Sequence, residues 1–185
     1  MSKNTHLGYV IMSPTNSLKN SKLSLKNKAL KIKLLLTDND GVLTDSGVYY
    51  SSKGEELKRF SIRDGMGVER LRELTGIETG IITGEMSGSV LKRAEKLKIK
   101  ELYLGVKDKE ALLHKILKKK HLKKENIAFI GDDVNDYNVI KEAGLSASPA
   151  DGMKDIRDIV DYVCKNKGGN GAFREFAELI IKIKS

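Results

Sequence analysis

From residue 32 onward, short apolar runs of strand length alternate with longer segments of helical period. No other feature of the chain limits its fold as strongly. Residues 32–37 (IKLLLT), 78–83, 101–104, 127–131, 144–147 and 160–164 read as strands. Residues 65–75, 87–98, 108–120, 134–142 and 171–183 read as helices, with Met66, Leu71 and Leu74 on the apolar face of the first and Phe173, Phe176, Ala177 and Ile180 on that of the last. Residues 47–61 predict a β-hairpin turning at SSKG. Strands separated by helices imply βαβ units, a parallel sheet and right-handed crossovers, hence an α/β fold. In such sheets ligands bind beyond the carboxyl ends of the strands.

Those ends carry the chemistry. The first strand runs into TDNDGVLTD, where Asp38 and Asp40 are two apart and project to the same side of an extended segment. Two carboxylates that close repel each other unless a cation sits between them. Gly41 permits the sharp turn that follows. The second strand ends in Thr83-Gly84, Lys109 opens the helix after the third, and the fourth ends in Gly131-Asp132-Asp133 with Asn135 and Asp136 beyond. Hard oxygen ligands suit Mg²⁺. A hydroxyl and an ammonium beside a metal suit a phosphoryl group. One carboxylate is then free to attack phosphorus, and another to pass a proton to the leaving oxygen and later take one from water. A signalling receiver domain has a similar residue set, but its acids, Thr and Lys follow the strands in a different order.

The net charge of +9 raises the question of a nucleic-acid partner. Residues 1–33 hold seven lysines and no acid, so most of the excess belongs to the amino-terminal segment. Residues 1–30 read as a flexible or loosely docked basic tail, with Tyr9 the one aromatic that could stack on a base, and residues 31–185 as one domain. Nucleic acid is therefore not the expected partner. The basic run at 118–124 reads as a solvated helix terminus. No apolar run reaches the roughly 18 residues of a membrane span. A lone cysteine, Cys164, rules out an internal disulfide and fits the reducing cytoplasm.

With those residues in view, the chain resembles the haloacid dehalogenase superfamily of phosphatases. Residues 38–41 (DNDG), 82–84 (ITG), Lys109 and 131–136 (GDDVND) match its four motifs in order. DNDGVLTD, the hairpin, FSIRDG at 60–65, ITGE at 82–85 and GGNGAFRE at 168–175 look like the 3-deoxy-D-manno-octulosonate 8-phosphate phosphatase group and its relatives acting on nine-carbon sugar acid 9-phosphates. The resemblance implies a three-layer Rossmann-like fold with a hairpin after the first strand and no cap domain. It implies Asp38 as nucleophile and Mg²⁺ ligand, and Asp40 as general acid/base giving the metal its carbonyl. Thr83 and Lys109 would hold phosphoryl oxygens, and Asp132 would be a further ligand. Asp133 and Asp136 would orient Lys109 and the metal's waters. Gly41 and Gly84 would border the substrate.

The same resemblance implies a homotetramer in which hairpins associate and a neighbour closes the site, with Arg63 and Arg174 meeting the substrate carboxylate. Glu85 stands where the eight-carbon members usually have Arg, and with Lys96 it looks like the nine-carbon branch. The alternative to an enzyme is a non-catalytic module of this fold that tetramerises or stimulates a sugar-acid nucleotidyltransferase. The intact four-part motif speaks against it.

Overall fold

A computed structural model describes residues 14–185, with side chains from Leu23 onward. Helix α1 (Pro14–Lys31) leads into β1 (Leu34–Thr37) and the hairpin β2 (Thr44–Ser51) and β3 (Gly54–Phe60). There follow α2 (Ile62–Thr75), β4 (Glu78–Ile82), α3 (Gly88–Lys96), β5 (Glu101–Tyr103) and α4 (Lys109–Lys120). The chain ends through β6 (Ile127–Ile130), α5 (Tyr137–Glu142), β7 (Leu145–Ser148), α6 (Lys154–Arg157), β8 (Tyr162–Val163) and α7 (Ala172–Lys184). Six strands form one parallel sheet in the order β5-β4-β1-β6-β7-β8, and β2-β3 stand apart as an antiparallel pair.

The central strands are apolar throughout because both faces are covered. Successive side chains in a strand point to opposite faces. Leu35, Ala128 and Ile130 therefore join one core with Val68, Leu71, Val90, Phe173 and Phe176. Leu34, Leu36, Ile127 and Phe129 join the other with Leu113, Ile116, Val139 and Ile156. These are the three layers the resemblance implied, with the hairpin in place after β1.

Several boundaries differ from the sequence reading. The first strand starts at Leu34, and Ile32 instead plugs the core ahead of it. Helix α2 starts at Ile62 because Ser61 caps it, its hydroxyl accepting the N–H of Arg63 and of Asp64. Met66 and Leu74 are exposed, and the buried face of α2 is Asp64, Gly65, Gly67, Val68 and Leu71. Gly67 is there for contact: a Cβ would lie 3.0 Å from the Arg174 Cα of α7. The helix read over 134–142 opens as a 3₁₀ turn, Val134–Asp136. The short α6 was not foreseen.

The amino-terminal tail needs correction where it is described. Residues 14–31 are helical, Ala29 is fully buried, and Leu25 packs on the core. Lys28 pairs with Asp161 at 2.5 Å and Lys31 with Glu125 at 3.1 Å. Ala29 and Leu25 seat the helix on the core, and these exposed pairs add ties to distant parts of the chain. The flexible reading of residues 1–13 lies outside the described residues.

Candidate active site

β1 and β6 pair in register, Thr37 beside Ile130, and deliver Asp38 and Gly131 to the same edge of the sheet. β4, on the other side of β1, delivers Thr83. A cavity of ≈ 270 Å³ there is lined by Asp38, Asp40, Ser46, Thr83, Gly84, Glu85, Asp132, Asp133 and Asn135.

The Asp38 side chain is buried and its Oδ1 accepts the Asn39 N–H at 2.7 Å and meets the Lys109 ammonium at 2.9 Å. Lys109, also buried, donates to Asp136 Oδ1 at 2.7 Å. The second Asp136 oxygen accepts the Asp132 N–H at 3.0 Å. Lys109 begins α4, and Asp108 caps that helix by accepting the Ala111 N–H. One helix start thus fixes the ammonium between two strand ends. Gly41 has φ +89°, and a Cβ there would lie 1.9 Å from Asp132 Oδ2. The glycine is needed both for its left-handed backbone and for room beside a carboxylate.

Carboxylate oxygens of Asp38, Asp132 and Asp136 lie within 4.8 Å of one another. Burial, followed by the charge of Asp136, lifts the Asp38 carboxyl to about 7 against the pull of Lys109. Burial and the charges of Asp38, Asp136 and Asp133 lift Asp132 to about 8. Burial also raises Asp136. It works against the Lys109 ammonium, but Asp38 and Asp136 outweigh it and hold that group above its ordinary value. Fully ionised, the three carboxylates and one ammonium carry two negative charges, and Asp132 Oδ1 is buried with no hydrogen-bond partner among the described residues. A hard divalent cation fits this donor set in charge and in ligand type.

Asp40 is held differently. Its Oδ1 accepts from Asn39 Nδ2 at 3.1 Å, from the Thr44 hydroxyl at 3.3 Å and from Lys58 Nζ at 2.7 Å, and its Oδ2 accepts from the same Nζ at 2.7 Å. Lys58, on β3, is a site residue that the sequence reading missed. A lysine in a charged hairpin reads as solvated, and only the fold shows its side chain 1% exposed. Ser46, with φ +63°, and Asn135 are two further cavity residues without an assigned role.

The remaining sequence-predicted residues divide. Gly84 and Glu85 line the cavity. Asp133 does so too, but its carboxylate caps the Val134 N–H at 2.6 Å and does not orient Lys109, a task left to Asp136. Arg63 is exposed at the start of α2, and Lys96 is exposed at the end of α3. Arg174 pairs with Glu178 at 2.8 Å, and Glu178 also takes Arg70 at 2.7 Å. Within one chain, none of these three lines the cavity.

The family model for haloacid dehalogenase-like hydrolases matches residues 96–176. The 3-deoxy-D-manno-octulosonate 8-phosphate phosphatase of Yersinia pestis is 40% identical over 154 residues, covering 83% of this chain and 82% of that one. The chain belongs to this phosphatase family. Two solved structures agree with it in three dimensions. The Moraxella catarrhalis phosphatase, solved with a magnesium ion, a phosphate ion and a KDO molecule, superposes with a TM-score of 0.83 at 39% identity, over 86% of this chain and 91% of that one. A haloacid dehalogenase superfamily hydrolase from Legionella pneumophila gives 0.87 at 34% identity, over 91% and 92%. The phosphatase is thus a phosphoric monoester hydrolase, and its motif residues converge on one edge of its sheet.

Proposed function

We propose that this phosphatase hydrolyses the phosphomonoester of a 2-keto-3-deoxy sugar acid, an eight-carbon octulosonate 8-phosphate or a nine-carbon nonulosonate 9-phosphate, with Mg²⁺ held by Asp38, Asp132 and the Asp40 carbonyl. The observation that carries the reading is the buried Asp38–Lys109–Asp136 chain beside an unpartnered Asp132 oxygen. Bound there, the ion supplies neutralisation of the carboxylates and draws charge from the phosphoryl oxygens.

The residues divide the remaining work. With Oδ1 of Asp38 engaged by Lys109 and Asn39, Oδ2 is the oxygen that attacks phosphorus. The bond from phosphorus to the sugar oxygen breaks, and Asp40 gives its proton to that oxygen. Lys109 and the Thr83 hydroxyl hold the phosphoryl oxygens meanwhile. Water then attacks the Asp38 phosphate, Asp40 takes the proton back, and inorganic phosphate leaves with the Asp38 carboxylate restored.

A cavity of ≈ 270 Å³ is small beside the roughly 300–1,000 Å³ of most ligand pockets. The hairpin exposes Val48, Tyr49, Tyr50 and Leu57. Exposed apolar residues clustered on a lone strand pair favour association. We read them as contacts of a homotetramer whose neighbouring chain completes the pocket. The sugar phosphate and the buried lone thiol suit the cytoplasm. Glu85 lines the cavity, and a carboxylate accepts hydrogen bonds from sugar hydroxyls, which arginine cannot do. The test is phosphate release with Mg²⁺ from the two esters side by side, for the native protein and Asp38→Asn. Release should vanish in the variant, and its persistence would remove Asp38 as nucleophile. Preference for the nine-carbon ester supports Glu85 as a selectivity residue, and preference for the eight-carbon ester makes it incidental.

A further inference from the structure

The hairpin reaches into the site through one side chain. Lys58 lies on β3, its side chain 1% exposed, and its ammonium sits 2.7 Å from each Asp40 oxygen. It stands 3.4 Å from Glu55 of the same strand. Glu55 in turn accepts a hydrogen bond from the hydroxyl of Ser87, the cap of α3. The chain Asp40–Lys58–Glu55–Ser87 therefore ties the loop after β1 to the loop after β4. Asn39 and Thr44 also donate to Asp40, but both lie within four residues of it along the chain and both reach Oδ1 alone. Among the described residues only Lys58 engages both oxygens, and it is this contact that fixes the plane of the carboxylate.

We propose that Lys58 is a positioning residue: it aims the Asp40 carboxyl for proton transfer and so makes the rate depend on the seating of the hairpin. This rests on the reading of Asp40 as general acid/base. Removing an aiming contact hinders departure of the leaving oxygen, because proton transfer needs the donor within hydrogen-bond reach.

The experiment compares kcat/KM on two esters, a sugar or other alkyl phosphate and p-nitrophenyl phosphate. That ratio reports the steps through departure of the leaving group. An alkoxide needs the proton from Asp40, whereas a nitrophenolate leaves without it. Lys58→Met should lower kcat/KM about 10- to 100-fold on the alkyl ester, within the range that general acid catalysis spans. The loss on the aryl ester should be at least tenfold smaller, and Lys58→Arg should recover most of the alkyl activity. Equal losses on both esters, no loss, or a gain on the alkyl ester would overturn the proposal. If Lys58→Met does not fold, as judged by its thermal transition, Lys58→Gln takes its place and must show the same split. Asp40→Asn separates the two ideas. If it keeps full alkyl activity, the reading of Asp40 has failed. If it is inactive while Lys58→Met is unaffected, only the positioning role has failed.

Discussion

Removing Mg²⁺ should cost the protein stability at pH 8 and almost none at pH 5.5. The Asp38 carboxyl is lifted to about 7 and that of Asp132 to about 8, from an ordinary value of 3.8. Between about pH 4 and pH 8 the folded, metal-free protein thus holds protons more tightly than the unfolded chain does. A raised carboxyl contributes stability that is present below the unfolded value and lost as pH rises through the folded one. For either group alone the loss is several kcal/mol, roughly 4–6. The two losses do not add, because each shift is partly caused by the other charge.

The cation must displace those protons. At pH 8, Mg²⁺ at about 100 times its Kd stabilises by about 2.7 kcal/mol, or roughly 5–11 °C in Tm for a chain of this size. At pH 5.5 proton competition at Asp38 alone weakens binding about 30-fold, so the same concentration contributes under about 1 kcal/mol. The assay is thermal denaturation with MgCl₂ or EDTA at both pH values, read as the difference between them. That subtraction removes the general effect of pH on a chain of net charge +9. A difference that is equal at the two values, or larger at pH 5.5, refutes the argument that these carboxylates exchange protons for the ion.

Gly41→Ala places a Cβ 1.9 Å from Asp132 Oδ2 at φ +89°, so a stability loss of roughly 1–3 kcal/mol in urea titration and a weakened response to Mg²⁺ are expected together. Phe176→Ala, at a fully buried position between α2 and the sheet, should cost roughly 3–5 kcal/mol by the same titration while leaving KM close to native. Burial, followed by the charges of Glu175 and Asp64, pushes the Cys164 thiol well above its ordinary range. A thiol-specific dye should label it at least about tenfold more slowly in native protein than in urea.

The sheet and most of the site were legible because both obey local rules. A central parallel strand reads as an unbroken apolar run, and the polar residue that ends it reads as a candidate site residue. Asp38, Thr83 and Asp132 needed nothing more. What stayed hidden depends on partners far along the chain. Helix α1 is mostly lysine, serine and asparagine, and two of its few apolar residues, Leu25 and Ala29, find their place only against a core made by distant parts of the chain. Lys58 looks like any hairpin lysine until the fold closes it over Asp40. Arg174 and Lys96 show the converse: their residue types suited a carboxylate or sugar, but their helices place them away from the cavity of their own chain.

The glycine pair before α7 has a consequence in time. Gly169 donates its N–H to the Val42 carbonyl at 2.9 Å, and Gly168 packs so near Gly41 that a Cβ would lie 1.8 Å from its oxygen. The loop that carries Asp40 is therefore braced by residues translated well after it. At about 5–20 residues per second the brace arrives roughly 6–25 s after the loop it holds. The turn itself is closed locally, the N–H groups of Val42, Leu43 and Thr44 all donating to the Asn39 carbonyl, so what the late-made glycine pair adds is the tie from that loop to the start of α7.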